Sequence, residues 1–228
     1  MGHDELQALR LSVQVAICSV LVGLPLALVV ASVLARCRFP GKSLIDALIH
    51  LPLVVPPVVT GYLLLLSLGR RGILGAWLYE QFDIVFAFRW TGAVIAALVM
   101  SFPLMVRPMR LSMENIDRRL EDAARTLGAS PVRVYLSVTL PLAIPGIVVA
   151  ALLGFARSLG EFGATITFVG NIPGETRTLS SAIYTFMQTP EGDRSALHLT
   201  IVSLGISLLA LVASEYCARR AQAVVHGI

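Results

Sequence analysis

A few hydroxyls and one compensated charge pair are the residues of this chain best suited to chemistry, and that chemistry is presenting hydrogen-bond donors rather than breaking bonds. Arg157 and Glu161 stand one helical turn apart, Ser158 lies between them, and Thr165 and Thr167 follow in a glycine-punctuated run. Thr60 belongs to a second apolar stretch far upstream. Glycine-punctuated backbone can kink and present such donors where it lines a wet cavity, which makes Thr60, Ser158, Glu161, Thr165 and Thr167 the candidates to line a translocation path. A structural reading stands beside this one: Arg157 and Glu161 pair at an interface, and hydroxyls in apolar helices bond their own backbone or pack at helix contacts. Asp46 and His50, four apart, have the spacing of a proton relay or a metal pair, but residues so near a helix end reach the polar interface. There is no H-E-x-x-H pattern. Gly41-Lys42-Ser43 looks like the end of a phosphate-cradling loop, yet Arg36 occupies the place of its first glycine, so a nucleotide has to be bound elsewhere. Cys18, Cys37 and Cys217 are far apart and odd in number, which reads as unpaired thiols.

The elements that must position these residues are apolar helices. The 228 residues are 56% hydrophobic and only 14% charged, against about 25% charged in a soluble domain. Mean hydropathy is +0.80. A bilayer core about 30 Å thick takes roughly 20 apolar residues per helix. Residues 11–35 make a first span, retained because its apolar run is too long for a cleavable signal. Residues 47–68 make a second, bent by Pro52, Pro56 and Pro57. Residues 91–106, 134–156 and 196–214 supply the third, fourth and fifth. Ala164 to Val169 is apolar enough to leave a sixth, shorter segment open within residues 157–190. Aromatic residues from Trp77 to Trp90 sit where amphipathic rings prefer the interface. The expected fold class is thus all-α, one polytopic transmembrane bundle over residues 1–228.

The net charge of +4 could suggest nucleic acid, but the basic residues lie in loops between apolar spans, where topology explains them. Eleven of the 18 Lys and Arg residues fall on one side of the spans when the N-terminus is placed outside. That orientation is expected by the excess of basic residues in cytoplasmic loops.

Residues 107–133 are too polar to span. Asp117 can cap a short helix whose Leu120, Ala123, Ala124 and Leu127 recur at three- and four-residue spacing, Gly128 supplies a left-handed stop, and Pro131 forbids continuation. Glu121 and Arg125 stand four apart in the favourable order for an ion pair. Periodicity alone leaves a solvated connector and a docking helix equally open.

The run Asp122-Ala123-Ala124-Arg125-Thr126-Leu127-Gly128, followed by Val138-Thr139-Leu140-Pro141, resembles the EAA loop of binding-protein-dependent ABC import permeases. Asp122 stands where that family usually has Glu, and Val138 where it often has Ile. The resemblance implies that Glu121, Asp122, Ala123, Ala124, Leu127 and Gly128 couple to an ATPase. Residues 156–178, and His50-Leu51-Pro52-Leu53-Val54-Val55-Pro56-Pro57, look like the molybdate group of these permeases, with the sulfate group a looser match. By the same resemblance the chain is expected to be a transport permease and not an enzyme. It would be a homodimer in the inner membrane, with N-terminus periplasmic and C-terminus cytoplasmic. Its partners would be two ATPase subunits, which hold ATP and Mg, a periplasmic molybdate-binding protein and membrane lipid. No cofactor is expected on this chain and no nucleic acid as partner. Sulfate or tungstate import is the alternative substrate reading. A secondary transporter driven by an ion gradient would call for internal repeats and an ionisable residue deep in a span, and neither is evident.

Overall fold

The computed structural model describes residues 2–226, with side chains described through Cys217. Its helices are α1 (His3–Arg36), α2 (Lys42–Val54), α3 (Pro57–Leu68), α4 (Ile73–Phe82), α5 (Trp90–Glu114), α6 (Arg118–Thr126), α7 (Pro131–Val134), α8 (Leu140–Leu159), α9 (Gly163–Val169), α10 (Leu179–Met187) and α11 (Asp193–His226). A π-helical turn, Tyr135–Thr139, joins α7 to α8, so Pro131–Leu159 is one rod. No strand occurs among the described residues.

Four helices are long and apolar enough to cross a bilayer, and the α2–α3 pair makes up to a fifth. Four of the five spans expected from the sequence are single helices with changed ends, and the second corresponds to the α2–α3 pair. The third extends to Glu114, through Pro103 and Pro108, so the first residues of the polar 107–133 stretch are helix. The second is broken rather than bent: α2 and α3 meet at 113°. Pro56 and Pro57 offer no N–H, and that removes the ladder at the break. The apolar Ala164–Val169 stretch forms the seven-residue α9, which at 1.5 Å per residue covers only about 10 Å and cannot cross.

Helix α5 is the centre, packed on α1 and α8. Close approach rests on small residues, the usual solution where lipid removes the hydrophobic drive between helices. A Cβ at Gly146 would lie 2.8 Å from the Pro108 carbonyl oxygen, and one at Gly154 would lie 2.7 Å from Met105 Cγ. Met105 also reaches Gly23 of α1, where a Cβ would sit 2.6 Å from its terminal methyl. With Met100, Met109 and Met113, all fully buried, it forms a flexible apolar filling along α5. The core thus falls into patches, three along α5, one of which holds Ala164, Phe168 and Val169 of α9, and one among α1, α10 and α11.

The π turn has a local cause. Pro141 sits at the start of α8, has no N–H, and its ring would clash with the Ser137 carbonyl in a regular α-helix. One wide turn relieves that crowding, and the Leu140 N–H reaches back to the Tyr135 carbonyl instead.

Candidate functional site

Two regions gather the chemistry-bearing residues. The first lies at the α8–α9 junction. Ser158, near the end of α8, shares a buried hydrogen bond with Ser19 of α1 at 3.0 Å. Arg157 pairs with Glu161 at 2.6 Å. Glu161 is 2% exposed, and its other oxygen accepts the Ala164 N–H at 2.8 Å, satisfying a free donor in the first turn of α9. The Thr165 hydroxyl donates to the Phe162 carbonyl at 2.8 Å, and Thr167 to Gly163 at 2.8 Å. Those two hydroxyls keep their lone pairs but spend their protons on their own helix.

Thr60, buried on α3, is brought beside this group by its neighbour Gly61. A Cβ on its neighbour Gly61 would lie 2.5 Å from the Ala164 oxygen and 2.9 Å from Thr167 Cβ, and one on Gly163 would lie 2.7 Å from Pro57 Cβ. Helices α3 and α9 thus touch main chain to main chain. All five candidate path residues, Thr60, Ser158, Glu161, Thr165 and Thr167, fall around one junction of α1, α3, α8 and α9. Ser19 was invisible to sequence pattern, because a lone Ser in an apolar span carries no periodic signal.

The second region is α6. Asp117 caps it, accepting the Arg119 N–H at 3.0 Å, and Gly128 ends it at φ +86° in the left-handed region. Pro131 starts α7, with Ser130 as its cap at 3.4 Å. Asp122, Ala123, Leu120, Leu127 and Gly128 are exposed and Ala124 is half-buried. Leu120 is 51% and Leu127 89% exposed. An apolar residue left this open on a short polar helix has no use inside the chain.

Glu121 is the buried residue of α6. It does not pair with Arg125, as its spacing suggested. It takes the Arg36 guanidinium at 2.6 Å and the Thr139 hydroxyl at 2.6 Å. Arg36 Nη2 makes that approach without the alignment of a hydrogen bond, and its Nε also lacks an aligned acceptor, so the contact is an ion pair. Arg125 turns to Asp122 at 3.6 Å, with both side chains exposed. Such a pair contributes at most about 0.5 kcal/mol. Arg125→Ala should therefore leave the thermal midpoint of the purified protein within about 2 °C of wild type; a larger drop would mean the pair is worth more than its exposure allows.

Asp46 and His50 are engaged by an arginine and by their own helix. Arg110 bridges α5 to α2, donating to Asp46 at 2.8 Å and to Glu114 at 2.8 Å, while His50 Nδ1 lies 2.8 Å from the Asp46 carbonyl. Among the described residues no group of three or more His, Cys, Asp or Glu could hold a metal.

Residues 23–222 match the family model described as the binding-protein-dependent transport system inner membrane component. The chain belongs to that family. This inner membrane component is 59% identical over 219 residues to the molybdenum transport system permease protein ModB of Escherichia coli K12, covering 96% of each chain. It is 54% identical over 218 residues to ModB of Haemophilus influenzae, covering 96% of this chain and 95% of that one. Its fold matches a chain of the MetNI methionine ABC transporter in an inward-facing conformation, with TM-score 0.73 at 16% identity, over 97% of this chain and 99% of that one. Membership in this family makes the chain a multi-pass inner-membrane protein and the transmembrane part of a transport system.

Proposed function

We propose that this inner membrane component imports molybdate, as two copies around one path, with two ATPase subunits at the cytoplasmic face and a periplasmic molybdate-binding protein opposite. The carrying observation is α6: a capped helix whose Leu120 and Leu127 lie open between α5 and the α7–α8 rod. It is a ready seat for another subunit. Near-full-length likeness to ModB supports the substrate. With α6 cytoplasmic, the N-terminus is periplasmic and the C-terminus cytoplasmic, and the excess of basic residues falls on the cytoplasmic side.

ATP and Mg belong to the partner in this reading. Binding of ATP draws the two α6 helices together, the rods that continue from them tilt, and the path opens outward to receive the anion. Hydrolysis returns it inward. At the α8–α9 junction Thr165 and Thr167 have to release their own carbonyls to donate to a dianion, while Arg157 stays neutralised by Glu161, so the anion meets no net charge that would hold it.

Vesicles carrying the chain with its ATPase and binding protein, loaded with ATP, should take up labelled molybdate. Uptake that survives excess sulfate but yields to tungstate is the expected result. Competition by sulfate would move the assignment to sulfate, and uptake without ATP would sink the coupling.

A further inference from the structure

Glu121 faces inward on a helix otherwise given over to the surface, and three elements converge on it. Arg36 comes from the last turn of α1, and Thr139 from the π turn below α8. A second bond runs parallel to these: Ser32 of α1 and Tyr135, the first residue of the π turn, share a hydroxyl contact at 2.8 Å, and Ser32 also lies 3.5 Å from Met113 Sδ at the end of α5. Beside α6 an open cleft of about 360 Å³ lies among Arg36, Arg118, Glu121, Arg125, Tyr135 and Thr139. Helix α6 is therefore not laid against the bundle by apolar packing. It stands off, and Glu121 is its polar fastening.

We propose that Glu121 is the positioning residue through which α6 moves the membrane helices, a strut from α6 to α1 and to the π turn. This rests on the functional reading above, in which α6 seats on an ATPase. The physics favours this carboxylate over the rest of α6. A push on an exposed helix that buries only Glu121 and borders an open cleft dissipates unless something stiff joins it to the bundle. A charged, hydrogen-bonded contact at low exposure is stiff, because breaking it strands a buried charge. The π turn at the far end is where a helical rod yields most readily, since its ladder is already re-registered. Thus α1 and the α8 rod receive the same displacement from one atom group, while the exposed face of α6 decides only whether the partner binds.

Glu121→Gln separates these roles. The amide keeps the shape and still accepts from Thr139, but loses the Arg36 ion pair. The full complex is assembled with its ATPase and binding protein in vesicles, on a Cys18→Ser, Cys217→Ser background. That leaves exposed Cys37, the residue after Arg36 at the end of α1, as a maleimide probe. Expected for Glu121→Gln are wild-type recovery of the ATPase subunits and wild-type hydrolysis, with molybdate taken up per ATP reduced about tenfold, a coupling loss of ordinary size. ATP should change the Cys37 labelling rate in the unaltered chain and not in the variant. Exchange of the charges, Arg36→Glu with Glu121→Arg, should restore part of both responses. The strut is overturned if the variant loses its ATPase subunits, if hydrolysis and uptake fall in proportion, if uptake per ATP is unchanged, or if Cys37 ignores ATP before any change at 121. Failure of the substrate reading is separate: the unaltered complex would then take up no molybdate, while ATP would still change Cys37 labelling and that response would judge the strut.

Discussion

Gly61→Val should lower uptake at least about fivefold while the ATPase subunits remain attached. A Cβ at position 61 would lie 2.5 Å from the Ala164 oxygen and 2.9 Å from Ala164 Cα. Both obstacles are backbone, and α9 is held at its start by Glu161 and Arg157, so it cannot step aside cheaply. Overpacking of this kind costs about 1–3 kcal/mol. Valine adds β-branching on top of that. At 1.4 kcal/mol per decade this means roughly a five- to 150-fold loss of the packed junction. Gly61→Ala should fall between. Helix α6 lies elsewhere and keeps its caps, so co-purification with the ATPase should persist. Normal uptake by Gly61→Val would mean that the α3–α9 contact opens during function and that the junction is not the path.

Leu127→Glu has the opposite profile. Leu127 is 89% exposed, so the substitution should change the stability of the isolated chain by no more than about 0.5 kcal/mol. If α6 seats on an ATPase, an apolar side chain at its end is a central anchor, and replacing it by a charge costs about 2 kcal/mol or more. The expectation is a loss of ATPase co-purification of about 30-fold or more, with unchanged yield and melting of the chain alone. Association at the wild-type level would place the seat elsewhere. Gly128→Ala provides a graded companion. Nothing crowds a Cβ there, yet φ is +86°, so the cost is backbone strain of about 1–2 kcal/mol.

Local signals carried most of the fold. Asp117, Gly128 and Pro131 bracket α6 because caps and stops act over a few residues, and long uncharged runs announce the spans by length alone. The prolines at 52, 56 and 57 announced an interruption but not its size, since the angle depends on what α3 packs against. That partner is α9, remote in sequence. The Glu121 pairing shows the same limit from another side. Spacing favoured Arg125, but a carboxylate buried against α1 and α8 needs a partner there more than an exposed one does, and Arg36 meets that need. At the candidate path the residue types were legible. Their gathering by Gly61, Gly163 and Ser19 was not, because contacts between distant helices leave no period in the chain.

The broken pair also sets an order in time. Helix α2 has 13 residues and α3 has 12, so each reaches only about 20 Å, short of a hydrocarbon core of about 30 Å. Neither is at home facing lipid alone, and α3 gains its backbone neighbour only when Ala164 has been made, about 100 residues later. At 5–20 residues per second that is a delay of about 5–20 s during synthesis. For that interval the Pro56–Pro57 corner must wait in the insertion machinery or at the membrane surface. A ribosome paused between α3 and α9 should therefore leave residues 42–68 open to protease, or to a thiol probe at a cysteine introduced there, that the finished chain excludes.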